Sequence, residues 1–118
     1  MSVARGDVVL VTFPQAPGQR PKRRPAVVVQ SDHNNSRLTS SIFAMVTSNT
    51  KLASKEVTQV LIDVGTTDGK QSGLQNTSAV KCENLYTLPI GSARKIGSLS
   101  STLMQRMDDA LRASLDIH

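Results

Sequence analysis

Tryptophan is absent from the 118 residues, and the aromatics stop at Phe13, Phe43 and Tyr86. That scarcity argues against an RNA reader that stacks successive bases on several rings. The single cysteine, Cys82, excludes an internal disulfide and a cysteine-based metal cluster. Only two histidines occur, and His118 is the last residue, so neither a histidine pair for acid–base work nor a histidine-centred triad is expected. No His/Asp/Glu cluster has metal-ligand spacing, and neither GxxxxGK[ST] nor GxGxxG is present, so no metal or cofactor is expected. No apolar run approaches the roughly 20 residues that span a bilayer. The amino terminus, MSVARGD, lacks the layout of a secretory signal. A cytoplasmic protein without a membrane partner is the expectation.

What the chain does have is positive charge, unevenly spread. The net charge is +5, from 14 basic and 9 acidic side chains. Residues 1–30 hold five basic groups and one acid, while residues 31–118 hold nine and eight. The excess centres on GQRPKRRPAVVVQSD (18–32), where Arg20, Lys22, Arg23 and Arg24 crowd five positions. Such a run reads as a solvated loop, a polyanion grip or the edge of an active site. A localised basic patch favours a polyanion or an acidic protein partner.

Most of the chain reads as β. VVLVTF (8–13), AVVVQ (26–30), SIFAMVT (41–47), VTQVLID (57–63), SAVKCENLYTL (78–88) and KIGSL (95–99) are short runs rich in β-branched residues, bounded by turn formers. His33 falls in an expected turn, and Asp68-Gly69 and Ser72-Gly73 mark a loop. The last segment changes period: Leu103, Met107, Leu111 and Leu115 recur every fourth residue beside Met104 and Ala110, one face of an amphipathic helix. Thr102 with Gln105, or Ser100 or Ser101, supplies its cap. Strands with a closing helix predict one domain over 1–118, mainly β, a small bent sheet or partly open barrel.

Alternation along the 78–88 strand turns Val80 and Cys82 inward and leaves Lys81 and Glu83 together on an open face. On their own these read as a surface ion pair. Arg24 precedes Pro25, which biases it to extended geometry at the mouth of the next strand. Its guanidinium suits a phosphate, which it can hold with two parallel hydrogen bonds. Thr47 opens the polar run Thr47-Ser48-Asn49-Thr50 and on its own is only a β-former.

Together, RGDVVLVTFP (5–14), RRPAVVVQSD (23–32), AMVTS (44–48), SAVKCENLYTLP (78–89) and MDDALRASL (107–115) resemble the MazF/PemK family of bacterial toxin endoribonucleases, in family order and spacing. The resemblance implies an SH3-like, strongly bent sheet with a carboxy-terminal helix, working as a homodimer. It implies metal-independent cleavage of single-stranded RNA at short motifs and neutralisation by a cognate antitoxin. Arg24 matches the family's catalytic arginine and Thr47 its catalytic threonine or serine. Lys81 and Glu83 match a basic–acidic pair that contributes to the site in the PemK branch. Gly18 to Arg23 match a mobile loop beside the RNA groove, so Gly18, Arg20, Lys22 and Arg23 are expected to contact RNA, and Gln30 and Ser48 are placed with them.

Two other readings stand beside this one. A sister family of similar fold poisons DNA gyrase through an aromatic near its carboxy terminus, but here the chain ends SLDIH. A non-catalytic RNA-binding module is the second, against which the retained Arg24, Thr47 and Glu83 count.

Overall fold

The computed structural model describes residues 2–118. Its strands are β1 (Asp7–Phe13), β2 (Lys22–Val28), β3 (Ser40–Thr47), β4 (Gln59–Ile62), β5 (Ser78–Pro89) and β6 (Arg94–Ser98). Three α-helices accompany them, α1 (Asp32–Arg37), α2 (Thr67–Gln71) and, after the last strand, α3 (Ser101–Leu115), with a 3-10 turn at Ile90–Ser92. The strands form one antiparallel sheet in the order β4-β5-β3-β2-β1-β6.

Two aromatic rings measure how far that sheet is curled. Phe13 on β1 and Tyr86 on β5 are three strand spacings apart in the sheet order, about 14 Å if it were flat. Their ring centroids are 4.9 Å apart, edge to face. Only a sheet rolled toward a half-barrel brings them together. The roll begins at an irregularity in the β3–β5 ladder, where Ala44 faces Leu85 but the next residue, Met45, faces Lys81. Cys82, Glu83 and Asn84 are the surplus, and surplus residues on one strand bend it.

Alternation gives the sheet two apolar faces. Inside the roll, Val9, Val11, Phe13, Ala26, Val28, Phe43 and Leu88 pack together. On the other face Val8, Val27, Ala44, Val46, Val60, Ile62, Val80 and Cys82 receive α3 through Leu103, Met107 and Ala110. The four-residue periodicity thus lands on its inner turns, while Leu115 at the end of the stripe stays exposed. Ser100 caps α3, its hydroxyl accepting from the Leu103 N–H at 3.2 Å. Burying Met107 completely contributes about 1.5–3 kcal/mol.

Several expectations shift in detail. The basic residues Lys22, Arg23 and Arg24 belong to β2, where Lys22 faces Phe13 and Arg23 faces Thr12. The loop before β2 therefore ends earlier than expected, and only Gly18, Arg20 and their neighbours belong to it. His33 and the Asp68-Gly69 pair sit in short helices rather than plain turns, each started by a side-chain cap from Ser31 or Thr66. The 57–63 run narrows to β4.

The segment after α2 is seated directly on β6. Gly73 has φ +72°, and a Cβ there would strike the Ile96 carbonyl. A Cβ on Gly97 would strike the Ser72 backbone. Only glycine permits the two backbones this approach.

Candidate active site

The register of the central strands fixes what Arg24 faces. Ala26 pairs with Met45, Val27 with Ala44 and Val28 with Phe43. The ladder stops there; continued two residues outward, the same register sets Arg24 across from Thr47, on one face of the sheet. Beyond this point the strands part, and a cavity of about 630 Å³ opens between their ends and residues 73–76. Arg24, Thr47 and Ser48 all line it, with Met45 and Leu74 among its other walls.

Thr47 is oriented by its own chain. Its Oγ1 accepts the Asn49 N–H at 3.1 Å, which leaves the hydroxyl proton free to donate elsewhere. Arg24 and Thr47 are both half-buried, so each is fixed by packing yet open to a ligand.

Lys81 and Glu83 stand farther along. Lys81 faces Met45 on one side and Gln59 on the other, which puts it on the Arg24–Thr47 face. Glu83 lies in the surplus segment of β5 and is exposed. Neither lines the cavity. The expected Lys81–Glu83 ion pair is absent among the described residues; instead, the Gln59 Nε2 amide donates to Glu83 Oε2 at 2.8 Å. Partial burial pushes the Glu83 carboxyl up. Hydrogen bonds from Gln59, its own backbone and Thr58 outweigh that, and Lys81 adds attraction, so the net shift is downward. Lys81 is thus the smallest contributor to keeping Glu83 ionised, not the main one.

The other candidates divide. Gly18 sits in an open turn at φ +84°, and Arg20 is exposed beside it. Lys22 is exposed on β2. Arg23 is exposed too, but its guanidinium donates to the Ser92 carbonyl at 2.8 Å and the Leu10 carbonyl at 3.4 Å, fastening the roll of the sheet. Gln30 is placed against its expected role. It is 7% exposed, and its amide donates to Asn35 and to the Ser40 carbonyl, both at 3.0 Å, inside the α1–β3 connection. A buried amide with its donors engaged holds the fold rather than RNA.

Sequence reading passed over Arg94, which also lines the cavity, as do residues 74–76 of the 64–77 loop expected to carry base preference. The signal for Arg94 was a basic residue one position before the expected 95–99 strand. Among the described residues, no three of His, Cys, Asp and Glu gather as a candidate metal site, and no helix is long and apolar enough to cross a membrane.

A cavity walled by a guanidinium on one strand and a hydroxyl on the next is what the fold delivers. The family model described as "PemK-like, MazF-like toxin of type II toxin-antitoxin system" matches residues 4–115. The chain belongs to this family. Endoribonuclease MazF6 of Mycobacterium tuberculosis (strain ATCC 25618 / H37Rv) is 33% identical over 119 residues, covering 99% of this chain and 100% of that protein. The solved structure of Mycobacterium tuberculosis toxin MazF-mt6 superposes with a TM-score of 0.75 at 21% identity, over 95% of this chain and 98% of that one. An endoribonuclease from a mycobacterial species, solved in complex with its cognate antitoxin, gives a TM-score of 0.77 at 19% identity, over 99% and 98%. The half-barrel with its carboxy-terminal helix is therefore the MazF toxin fold, as expected from sequence. With full-length curated relatives of that name, this PemK/MazF-family toxin is an endoribonuclease.

Proposed function

We propose that the toxin is a metal-independent endoribonuclease that cuts single-stranded RNA, messenger RNA included, at a short sequence motif. The ribose 2′-hydroxyl attacks the adjacent phosphorus, and the bond to the 5′-oxygen breaks. The products are a 2′,3′-cyclic phosphate and a 5′-hydroxyl. The observation that carries this reading is the shared cavity of Arg24 and Thr47, on neighbouring strands.

Each residue has a task that its chemistry suits. Charge builds on the non-bridging oxygens as phosphorus becomes five-coordinate, and the Arg24 guanidinium binds that charge more strongly in the transition state than in the ground state. Thr47 donates its free hydroxyl proton to a phosphate oxygen or orients the attacking hydroxyl. Glu83 is the proposed base: its carboxylate is ionised, though the downward shift makes it a weaker base, and the RNA must bring the 2′-hydroxyl to it beyond the cavity. Lys81, on β5 with Glu83 and across from Met45 of β3, steadies a neighbouring phosphate. RNA laid across the sheet from β2 to β5 meets these residues in that order. Gly18, Arg20, Lys22 and Ser48 form the rim that gathers it.

The toxin works as a homodimer in the cytoplasm, as one domain, and is neutralised by a cognate antitoxin. Relatives of this fold have been solved in such a complex, and a basic rim suits an acidic, partly disordered segment that occupies the RNA site.

One experiment tests the reading. Purified protein is incubated with a long unstructured RNA in EDTA, and the new 5′ ends are sequenced and tested for a free hydroxyl. Cuts at a recurring short motif carrying 5′-hydroxyls are expected. Binding without cuts would reduce the protein to a non-catalytic module, and cuts that vanish in EDTA would overturn the metal-free chemistry.

A further inference from the structure

Arg94 lines the same cavity as Arg24 and Thr47. It opens β6 and pairs with Leu10, which on its other side pairs with Pro25. One rung of the sheet thus carries Arg94, Leu10 and Pro25, with Arg24 next along β2. Two strand spacings, about 10 Å, separate the outer backbones of that rung. Arg24, paired with Val11, alternates to the opposite face from Arg94 and Pro25, so the two guanidiniums enter the cavity they share from different sides of the sheet and reach different phosphates of one extended strand.

The neighbouring cations are engaged elsewhere. Arg23 is spent on two carbonyls, and the Lys95 ammonium lies 3.2 Å from Asp7. Among the described residues, nothing pairs with the exposed Arg94 guanidinium. An unpaired guanidinium in the wall of a cavity is a receptor for an oxyanion.

We propose that Arg94 is a second phosphate-binding residue of the RNA site, holding a phosphate that is not cut, beside the one that Arg24 holds. This rests on the endoribonuclease reading above. A phosphate that does not react carries the same charge in ground and transition states, so Arg94 contributes to binding and not to the chemical step.

The test compares wild type with Arg94→Gln and Arg94→Lys on a short RNA containing the mapped cut motif, across a series of salt concentrations. Arg94→Gln is expected to raise KM about ten-fold. It should leave kcat within about two-fold, as loss of uniform binding does. The slope of log(1/KM) against log salt should flatten by about 0.7, one single-strand phosphate contact. Arg94→Lys should recover most of KM and slope, because a point charge suffices. Unchanged KM and slope in Arg94→Gln would overturn the proposal, and so would a loss confined to kcat. Binding is read separately by fluorescence anisotropy with an oligonucleotide carrying a 2′-deoxy sugar at the cut site. Equal salt slopes for wild type and Arg94→Gln there would overturn the grip even with cleavage intact. A wild type that binds this oligonucleotide but never cuts RNA would instead sink the nuclease reading.

Discussion

Gln59 reaches from the sheet-edge strand β4 to Glu83 on β5, its amide nitrogen 2.8 Å from the carboxylate. Turning the amide over would set oxygen against oxygen, so the carboxylate dictates its orientation. The other end of the amide, Oε1, is buried without a partner among the described residues. An orphaned buried carbonyl carries a penalty of about 1–3 kcal/mol. Glu83 is thus held in its place at some expense to the fold.

Glu83 should titrate below the ordinary glutamate value of 4.5. A depressed carboxyl stabilises the fold fully above that value and loses its contribution as pH falls through the folded pKa. Gln59→Leu removes the largest lowering contact, so the carboxyl should titrate at higher pH. The acid limb of single-turnover cleavage should move up with it. Carboxyl-carbon NMR of Glu83 in both proteins reads the shift directly, and a cleavage limb that stays put while the resonance moves would free Glu83 of the base role.

Arg24→Ala should lower kcat by about 10²–10³, or roughly 2.7–4 kcal/mol, the loss seen when an oxyanion donor is removed. Thr47→Val keeps the shape and removes one neutral donor, so its loss should be smaller. Thermal unfolding of both variants should stay close to wild type, since the pairing of Arg24 with Val11 and of Thr47 with Ala79 is made by backbone, and both side chains are only half-buried. Single-turnover rates alongside melting curves separate chemistry from folding, and near-normal cleavage by Arg24→Ala would remove it from the site.

Cys82 should be inert in the native protein. Burial, with the Glu83 charge beside it, pushes its thiol up to about 12. Below pH 9 the thiol is protonated in both folded and unfolded chains; between about 9 and 12 only the unfolded chain ionises, so stability should fall across that window. A thiol reagent at mildly alkaline pH should react at the rate of global unfolding, and fast labelling of folded protein would contradict the burial.

Arg5 and Asp108 join the amino-terminal segment to α3 through a 2.8 Å ion pair, and the Arg5 Nε also donates to the Val29 carbonyl at 3.0 Å. Both side chains are about a third exposed, so solvent screens the pair. Arg5→Ala should cost about 1 kcal/mol, with a coupling to Asp108→Asn of a few tenths to 1 kcal/mol in a double-mutant cycle. Equilibrium denaturation measures both, and zero coupling would leave only the Val29 contact.

The strands were legible because β-branched runs bounded by turn formers need little tertiary help. The runs at 8–13, 41–47 and 78–88 fall within a residue or so of β1, β3 and β5. β2 was harder, because Lys22, Arg23 and Arg24 look like loop and are strand only through pairing with β1. α1 and α2, of six and five residues, are too short for a helical period to register; only their serine and threonine caps were there to read. For the site, Arg24 and Thr47 read on their own as a strand-mouth charge and a β-former; the family resemblance singled them out, and with Ser48 they share one cavity. Gln30 misled because a polar residue at a strand end resembles a surface contact, whereas its burial depends on Asn35 and Ser40 arriving from α1 and β3. Arg94 was invisible for the opposite reason: its relation to Arg24 exists only once β6 pairs with β1.

The glycine seam between residues 72–73 and β6 has a mechanical outcome. Peptide planes in direct contact, with no side chains between them to rearrange, transmit a push without cushioning. A load on residues 74–76 is therefore passed to β6, the strand that carries Arg94.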